Sequence, residues 1–386
     1  MVAENKRILL SSPHMSGNEQ NYINNAFKEN WIAPLGPNVN QFELDIAAYA
    51  GVKGASVTSS GTGAIHLALD ILGVKQGDSV FCSTFTFVAS ANPALYLGAD
   101  ITFIDSEVET WNMSPFALER ALSDAKKMGK LPKAIIVVNL YGQSAQMDEL
   151  LEIANSYNVP IIEDAAESLG AEYKGKKSGT LGKIGIYSFN GNKIITTSGG
   201  GVLISDDEEI IARSRFLATQ ARDEAPHYQH SMVGYNYRMS NILAGVGIAQ
   251  LQVLDERVAR RREIFDTYYQ ELAGIEGVQF MPELNGTKSN RWLTTLTIDQ
   301  KIIQLNPYEI MDKMNEANIE TRALWKPLHM QPLFKDNKFY KDKNSLESTA
   351  GLLFANGLCL PSGSNMTNAE QNRVIEAIKK IALNKK

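Results

Sequence analysis

From about residue 55 to residue 205 the chain alternates short β-rich apolar runs with runs of helical spacing, and this alternation limits the fold more than any other feature. The predicted strands are 55–58, 80–83, 101–104, 134–138, 160–163, 185–187 and 201–204. Intervening stretches such as 64–72 and 147–157 carry apolar residues at helical intervals. The strands are nearly continuous in apolar residues, as a mostly parallel sheet covered on both faces requires. Ligands of such a sheet gather at the carboxyl ends of its strands.

Outside this region the pattern changes. Ser16-Gly17-Asn18-Glu19 reads as a capping box opening a helix through about Asn30. Residues 240 to about 273 read as one long helix with Leu243, Val246, Ile248, Leu251, Leu254 and Val258 as its stripe. A strand at 293–298, a helix at 307–316, a loop at 325–332 and a terminal helix at 368–382 follow. The chain therefore divides into a large domain with an N-terminal arm, 1–250, and a smaller C-terminal α/β domain, 251–386.

Net charge is −5 over 386 residues, with no basic stripe, so nucleic acid is not an expected partner. The stretch 1–13 has no extended apolar core of a signal peptide, and no run approaches membrane-spanning length, so a cytoplasmic protein is expected. Cys82 and Cys359 sit in apolar runs and read as buried free thiols. No spacing of Cys or His suggests a metal.

The chemistry concentrates at the strand ends. Ile161-Ile162-Glu163-Asp164 puts an acid at the end of one strand. Lys193 follows the next strand and Ser188, in a loop of small residues that runs to Gly199-Gly200-Gly201. A pyridoxal phosphate enzyme needs these two parts. The lysine amine forms a Schiff base with the cofactor aldehyde, and the acid keeps the pyridine nitrogen protonated. Apolar or small flanks suit a desolvated amine at Lys193. Ser59-Ser60-Gly61-Thr62-Gly63 opens a helix after a strand and reads as an anion site, or as a serine-rich cap if taken alone. Glu167 lies three residues past Asp164 and can face the same pocket. Phe85 reads as a core residue. Gly234-Tyr235-Asn236-Tyr237-Arg238-Met239-Ser240 precedes the long helix, with Ser240 as its possible cap.

Taken together, Trp31-Ile32-Ala33-Pro34-Leu35-Gly36-Pro37, Ser60-Gly61-Thr62-Gly63-Ala64, Glu163-Asp164-Ala165-Ala166-Glu167 and Gly234-Tyr235-Asn236-Tyr237-Arg238 resemble the DegT/StrS-type sugar aminotransferases. The resemblance runs from about Ser12 to Ile381. It implies an α/β fold of the aspartate aminotransferase-like type (fold-type I), with a large, mostly parallel mixed sheet. It also implies pyridoxal 5'-phosphate as cofactor. By the same resemblance Lys193 carries the cofactor, Asp164 binds its ring nitrogen, Glu167 meets the ring hydroxyl side and Phe87 stacks on the ring. Gly61, Thr62 and Ser188 hold the phosphate. Asn236 holds it from the partner subunit, so a homodimer with shared sites is implied. Arg238, Trp325 and His329 are implied on the sugar-nucleotide side.

Four further segments are similar to the bacillosamine-pathway C4 aminotransferases: Pro13-His14-Met15-Ser16-Gly17, Ser188-Phe189-Asn190-Gly191-Asn192-Lys193, Pro226-His227-Tyr228-Gln229-His230 and the stretch Leu324 to Pro332. These imply a UDP-linked 4-keto-6-deoxy sugar and L-glutamate as substrates. Asn139 stands where much of the family has histidine, and Glu167 where relatives often have glutamine or histidine. An aminotransferase for another keto sugar, a deoxysugar dehydratase and a non-catalytic sugar-nucleotide-binding protein are the competing readings. Lys193 opposes the dehydratase, whose relatives replace it by histidine. Lys193 and Asp164 together oppose a non-catalytic role.

Overall fold

The computed structural model describes residues 6–342 and 347–383. Eight strands form one large sheet: β1 (Gly54–Thr58), β2 (Ser79–Ser83), β3 (Asp100–Ile104), β4 (Ala134–Val138), β5 (Ile161–Asp164), β6 (Ile184–Ser188), β7 (Gly201–Ser205) and β8 (Lys338–Tyr340). Their order is β1-β7-β6-β5-β4-β2-β3-β8. Strand β7 runs antiparallel to both β1 and β6, while every other pairing is parallel. The seven strands predicted in 55–205 are all present. Strand β8 was not predicted; it comes from far along the chain and pairs Phe339 with Phe103 at the sheet edge.

Strands β1, β4 and β7 are buried along their whole length, and β5 likewise. This is the covered state that their continuous apolar runs demand. Helices Gly61–Ile71, Pro115–Lys127 and Met147–Ser156 supply the cover, with Leu67 and Leu69 in one core cluster and Leu118, Leu122 and Leu150 in another. Because β1, β2, β4, β5 and β6 share one direction, the segments that follow them emerge at one edge of the sheet. The switch in strand order between β4 and β2 opens a crevice there.

A second, antiparallel sheet joins Val278–Phe280, Thr294–Ile298, Gly357–Leu360 and Arg322–Ala323. Its core holds Leu296, Ile298 and Leu358 against Ile264, Tyr268, Met314 and Val374 of the helices Leu254–Leu272, Pro307–Glu316 and Asn368–Leu383. Ile8 of the N-terminal arm joins this core, forming a parallel bridge with Ile319.

Two helix expectations are corrected. The stretch 240–273 is two helices, Asn241–Leu251 and Leu254–Leu272, broken at Gln252 and Val253. The first is buried on most sides rather than along one stripe. Gly245 approaches Tyr22 and Asn38, and Gly247 approaches Phe42, so this helix is wedged among others. The second leaves to serve the second core. The N-terminal helix is Glu19–Lys28, and only half of the capping box forms. The Glu19 carboxylate accepts from the N–H groups of Ser16 (2.7 Å) and Gly17 (3.0 Å), while the Ser16 hydroxyl accepts from Asn18 N–H instead of closing the box. Ser240 is indeed an N-cap, accepting from Leu243 N–H. Cys82 and Cys359 are buried and free.

Candidate active site

At the carboxyl edge of the large sheet lies a cavity of about 640 Å³. Segments after β1, β2, β5 and β6 and the start of β7 build it, bringing Gly61, Thr62, Phe87, Asp164, Glu167, Ser188 and Lys193 into one wall. Trp292, Arg322 and Trp325 close it from the second half of the chain.

Lys193 is held from two sides. Its Nζ lies 3.5 Å from Glu167 Oε1 and 4.3 Å from the centroid of the Trp292 ring. The loop behind it is pinned at the Asn192 carbonyl, which accepts from the Ser11 hydroxyl (2.9 Å) and from Trp292 Nε1–H (2.8 Å). An amine between a carboxylate and an aromatic face, largely shielded from water, is positioned for nucleophilic and proton-transfer work.

Asp164 ends β5 with its carboxylate buried. Oδ2 accepts from the Ser90 hydroxyl at 2.7 Å, and Oδ1 from Ala166 N–H at 3.2 Å. Burial pushes its pKa above the ordinary carboxylate range; the Ser90 hydroxyl, the Ala166 N–H and the Lys193 charge work the other way. Burial likewise raises Glu167, opposed by Lys193 and by Tyr141 N–H, which donates to Oε2 at 2.8 Å. Two buried carboxylates thus face a single amine. A buried carboxylate of this kind is satisfied by a further cationic N–H donor.

The phosphate end is backbone. Ser60 caps the helix Gly61–Ile71 by accepting from Gly63 N–H at 3.0 Å. The N–H groups of Gly61 and Thr62 have no acceptor inside the helix and meet a ligand at its positive end. Gly61 packs against Ser188, whose Cβ lies 3.2 Å from where a Gly61 Cβ would stand. A Cβ on Gly201 would collide with the backbone of Ser60 and Gly61, so a glycine there lets β7 approach the turn.

The remaining predicted residues divide. Phe87 is half exposed in the cavity, its ring 5.2 Å from that of Trp325. Phe85 is buried against Tyr141. His329 lies outside the cavity wall: Nδ1 is 2.7 Å from Thr84 Oγ1, and the ring stacks on Phe339 at 3.7 Å. Arg238 also lies outside it, paired with the buried Glu43 and donating to the Val57 carbonyl at 3.2 Å. Asn236 is exposed beyond the cavity, bridged to Thr219. Asn139 is fully buried and acts on the scaffold, donating to Glu163 Oε1 and Ser178 Oγ, each at 2.8 Å. Among the described residues no group of acids, histidines and cysteines is arranged for a metal, and no helix is long and apolar enough to cross a membrane.

Sequence reasoning missed Ser90, Tyr141, Trp292 and Arg322. Tyr141 lies in the Asn139-Leu140-Tyr141-Gly142 stretch and has a left-handed φ of 52°, a conformation that marks it as held in place. Trp292 and Arg322 follow no strand of the large sheet, so no strand-end argument finds them.

A sugar-aminotransferase sequence signature, that of the DegT/DnrJ/EryC1/StrS aminotransferase family, matches residues 13–379. The chain belongs to this family. It is 63% identical over 373 residues to "Putative pyridoxal phosphate-dependent aminotransferase EpsN" of Bacillus subtilis (strain 168), covering 97% of this chain and 95% of EpsN. It is 36% identical over 376 residues to GDP-perosamine synthase of Caulobacter vibrioides, covering 97% and 98%. A crystal structure of a DegT DnrJ EryC1 StrS aminotransferase from Brucella abortus superposes with a TM-score of 0.87 at 27% identity, covering 95% of each chain. The fold is the fold-type I architecture, and the chain is a pyridoxal phosphate-dependent sugar aminotransferase. The cavity fits that cofactor. A pyridinium N–H is the cationic donor that Asp164 calls for, and the Gly61–Thr62 turn is a cradle for a phosphate.

Proposed function

We propose that this sugar aminotransferase converts UDP-2-acetamido-2,6-dideoxy-4-keto-glucose and L-glutamate into the UDP-4-amino-4,6-dideoxy-N-acetyl sugar and 2-oxoglutarate. Such a product is a precursor for bacillosamine-type glycans and protein glycosylation. The observation that carries the amino-transfer reading is Lys193 Nζ, 3.5 Å from Glu167 and in one cavity with the buried Asp164. The segments from Pro13 to Gly17 and from Leu324 to Pro332 support the choice of sugar through their resemblance.

Asp164 would hold the ring nitrogen, Glu167 would face the ring hydroxyl, Phe87 would stack on the ring, and Gly61, Thr62 and Ser188 would hold the phosphate. When bound, the cofactor supplies an aldehyde carbon that takes up an amine and a ring that draws electrons from the carbon losing its proton. Lys193 Nζ takes the proton from the α-carbon of glutamate, and in the second half-reaction it returns a proton to C4 of the sugar. Glu167 keeps the amine aimed, through its 3.5 Å contact. Trp325 and Phe87 limit water at the mouth. Asn236, exposed in its own chain, reaches the phosphate of a second copy in this reading, so the working form is a homodimer in the cytoplasm. Residues 1–250 and 251–386 are its two domains. Arg238 and His329, held by Glu43 and Thr84 within one chain, serve the sugar-nucleotide side only through neighbours in this reading.

The test is mass spectrometry of products from UDP-, GDP- and dTDP-linked 4-keto sugars with glutamate. The reading expects the UDP-N-acetyl substrate to give the amino sugar with the highest kcat/KM. The 36% identity to GDP-perosamine synthase favours a GDP-linked keto sugar as second reading. A GDP-sugar product with no UDP-sugar product would replace the first reading by the second.

A further inference from the structure

Arg261 lies on the helix Leu254–Leu272 between Val258, which packs in the core of the large sheet, and Ile264, which packs in the second core. It is 1% exposed. Among the described residues no carboxylate pairs with it, and the charge that acts on it is a second cation, Arg257. Burial pulls its pKa down to about 9, so it stays protonated at neutral pH. A buried cation without a counter-ion is costly, and an apolar side chain of similar length would avoid the cost. What the guanidinium touches therefore matters.

Nη1 donates to the Trp292 carbonyl and Nη2 to the Ser11 hydroxyl at 2.9 Å, while Nε is buried without a partner. Both recipients act on one atom, the carbonyl oxygen of Asn192. A guanidinium can only donate, so it occupies a lone pair of the Ser11 oxygen and leaves the hydroxyl proton for the Asn192 carbonyl, 2.9 Å away. Trp292, held by its own carbonyl, sends its indole N–H to the same oxygen at 2.8 Å. A charge at the head of such a chain strengthens the bonds that follow. The Asn192 carbonyl belongs to the peptide whose nitrogen is that of Lys193, and the Lys193 N–H donates to the Asn190 carbonyl at 3.0 Å. That peptide is gripped at both ends directly before the reactive side chain.

We propose that Arg261, outside the cavity, is a positioning residue for Lys193: through Ser11 and Trp292 it fixes the peptide from which the lysine side chain springs. This rests on the reading that Lys193 carries the cofactor and moves the proton. The lysine amine must leave and re-approach the reacting carbon in each half-reaction on a long flexible stem. A fixed origin, with the Trp292 ring facing Nζ, narrows the positions to which it returns.

The test compares the wild type with Arg261→Met, Arg261→Lys, Ser11→Ala and the combined Arg261→Met and Ser11→Ala variant. In cofactor-free protein, amide hydrogen exchange of the peptide spanning 189–195 should be at least about tenfold faster in Arg261→Met. In holoenzyme, the saturating rate of the donor half with L-glutamate, followed by cofactor absorbance, should fall at least about tenfold, with half-saturation changed by less than about threefold. Arg261→Lys should recover part of the rate, since charge and donors return without the fork. Ser11→Ala should move both readouts the same way and less. The combined variant should lose less than the product of the single losses, because both residues act in one chain. Unchanged exchange, a change in half-saturation alone, or losses that multiply would overturn the proposal. So would a lowered urea midpoint with a normal saturating rate, which would make Arg261 only a strut between the two cores. If Arg261→Met does not fold, Ser11→Ala decides by the same two readouts. Borohydride labelling of the wild type separates the two readings. A label on another lysine would refute the role of Lys193 and the proposal with it, whereas a labelled Lys193 with unchanged rates in the variants would refute Arg261 alone.

Discussion

The indole of Trp292 faces the amine of Lys193, with Nζ 4.3 Å from the ring centroid, and donates its own N–H to the carbonyl of Asn192 at 2.8 Å. One side chain from the second half of the chain thus fixes both the backbone of the lysine loop and the position of its reactive nitrogen. Trp292 is itself 1% exposed, so this is a rigid support.

Lys193→Ala should abolish turnover, a loss of at least about a thousandfold, while part of the cofactor affinity survives. The phosphate turn at Gly61 and Thr62 and the acid at Asp164 line the cavity as groups separate from the lysine and remain when it is removed. Borohydride reduction and peptide mapping of the wild type should label Lys193. Labelling of another lysine would remove the assignment.

Asp164→Asn should keep fold and cofactor but lose more than about tenfold in rate, because an amide supplies no charge to hold a proton on the ring nitrogen. Ser90→Ala should act in the same direction and more weakly. It removes the 2.7 Å hydroxyl that helps keep the buried Asp164 ionised. Rates for the two variants at pH 6 to 8 decide the order, and a larger effect for Ser90→Ala would contradict it.

Gly201→Ala should weaken cofactor binding at least about tenfold while the sheet persists. The added Cβ meets the backbone of Ser60 and Gly61, which cannot swing aside as a side chain can. Equilibrium dialysis against pyridoxal phosphate reads the loss, and circular dichroism checks the sheet. Unchanged affinity would mean that the turn does not hold the phosphate.

His329 gives a pH signature. Burial lowers its pKa from 6.5 to about 4. The unfolded chain therefore takes up a proton near pH 6.5 while the folded chain does not, so stability falls as pH drops from 6.5 towards 4. Allowing for partial exposure, the loss is on the order of 2 kcal/mol. His329→Gln should flatten that part of a urea-midpoint profile. A slope identical to wild type would show that other groups set it.

Inactive Lys193→Ala and Asn236→Ala chains, mixed and allowed to exchange, should recover activity at low pyridoxal phosphate. A mixed dimer would contain one intact site and one carrying both defects. Exchange verified by mass spectrometry without recovered activity would place Asn236 in its own chain's site or in none.

Much of this was legible in the sequence because its signals were local. The seven strands of 55–205, Asp164 at the end of β5 and Lys193 after β6 follow from apolar runs and their terminators. Residues supplied across long separations were not legible. Trp292 reaches Asn192 over 100 residues, and β8 joins β3 from the far part of the chain. The break at Gln252 and Val253 was hidden because Leu251, Leu254 and Val258 continue an apolar helical spacing across it, while the packing of Gly245 and Gly247 is a tertiary fact. Arg238 and His329 lie in conspicuous motifs, yet burial beside Glu43 and Thr84 decides what they touch.

Strand β8 also has a consequence for biosynthesis. A ribosome delivers the chain from its N-terminus, so β2, β3 and β4 emerge and can pair long before residues 338–340 exist. Until then the outer edge of β3 presents unpaired N–H and C=O groups, a template for strands of other nascent chains. Losses of yield from slow or interrupted translation should therefore appear as aggregation nucleated at Asp100–Ile104, and a truncation ending before Lys338 should aggregate more than one ending just after Tyr340.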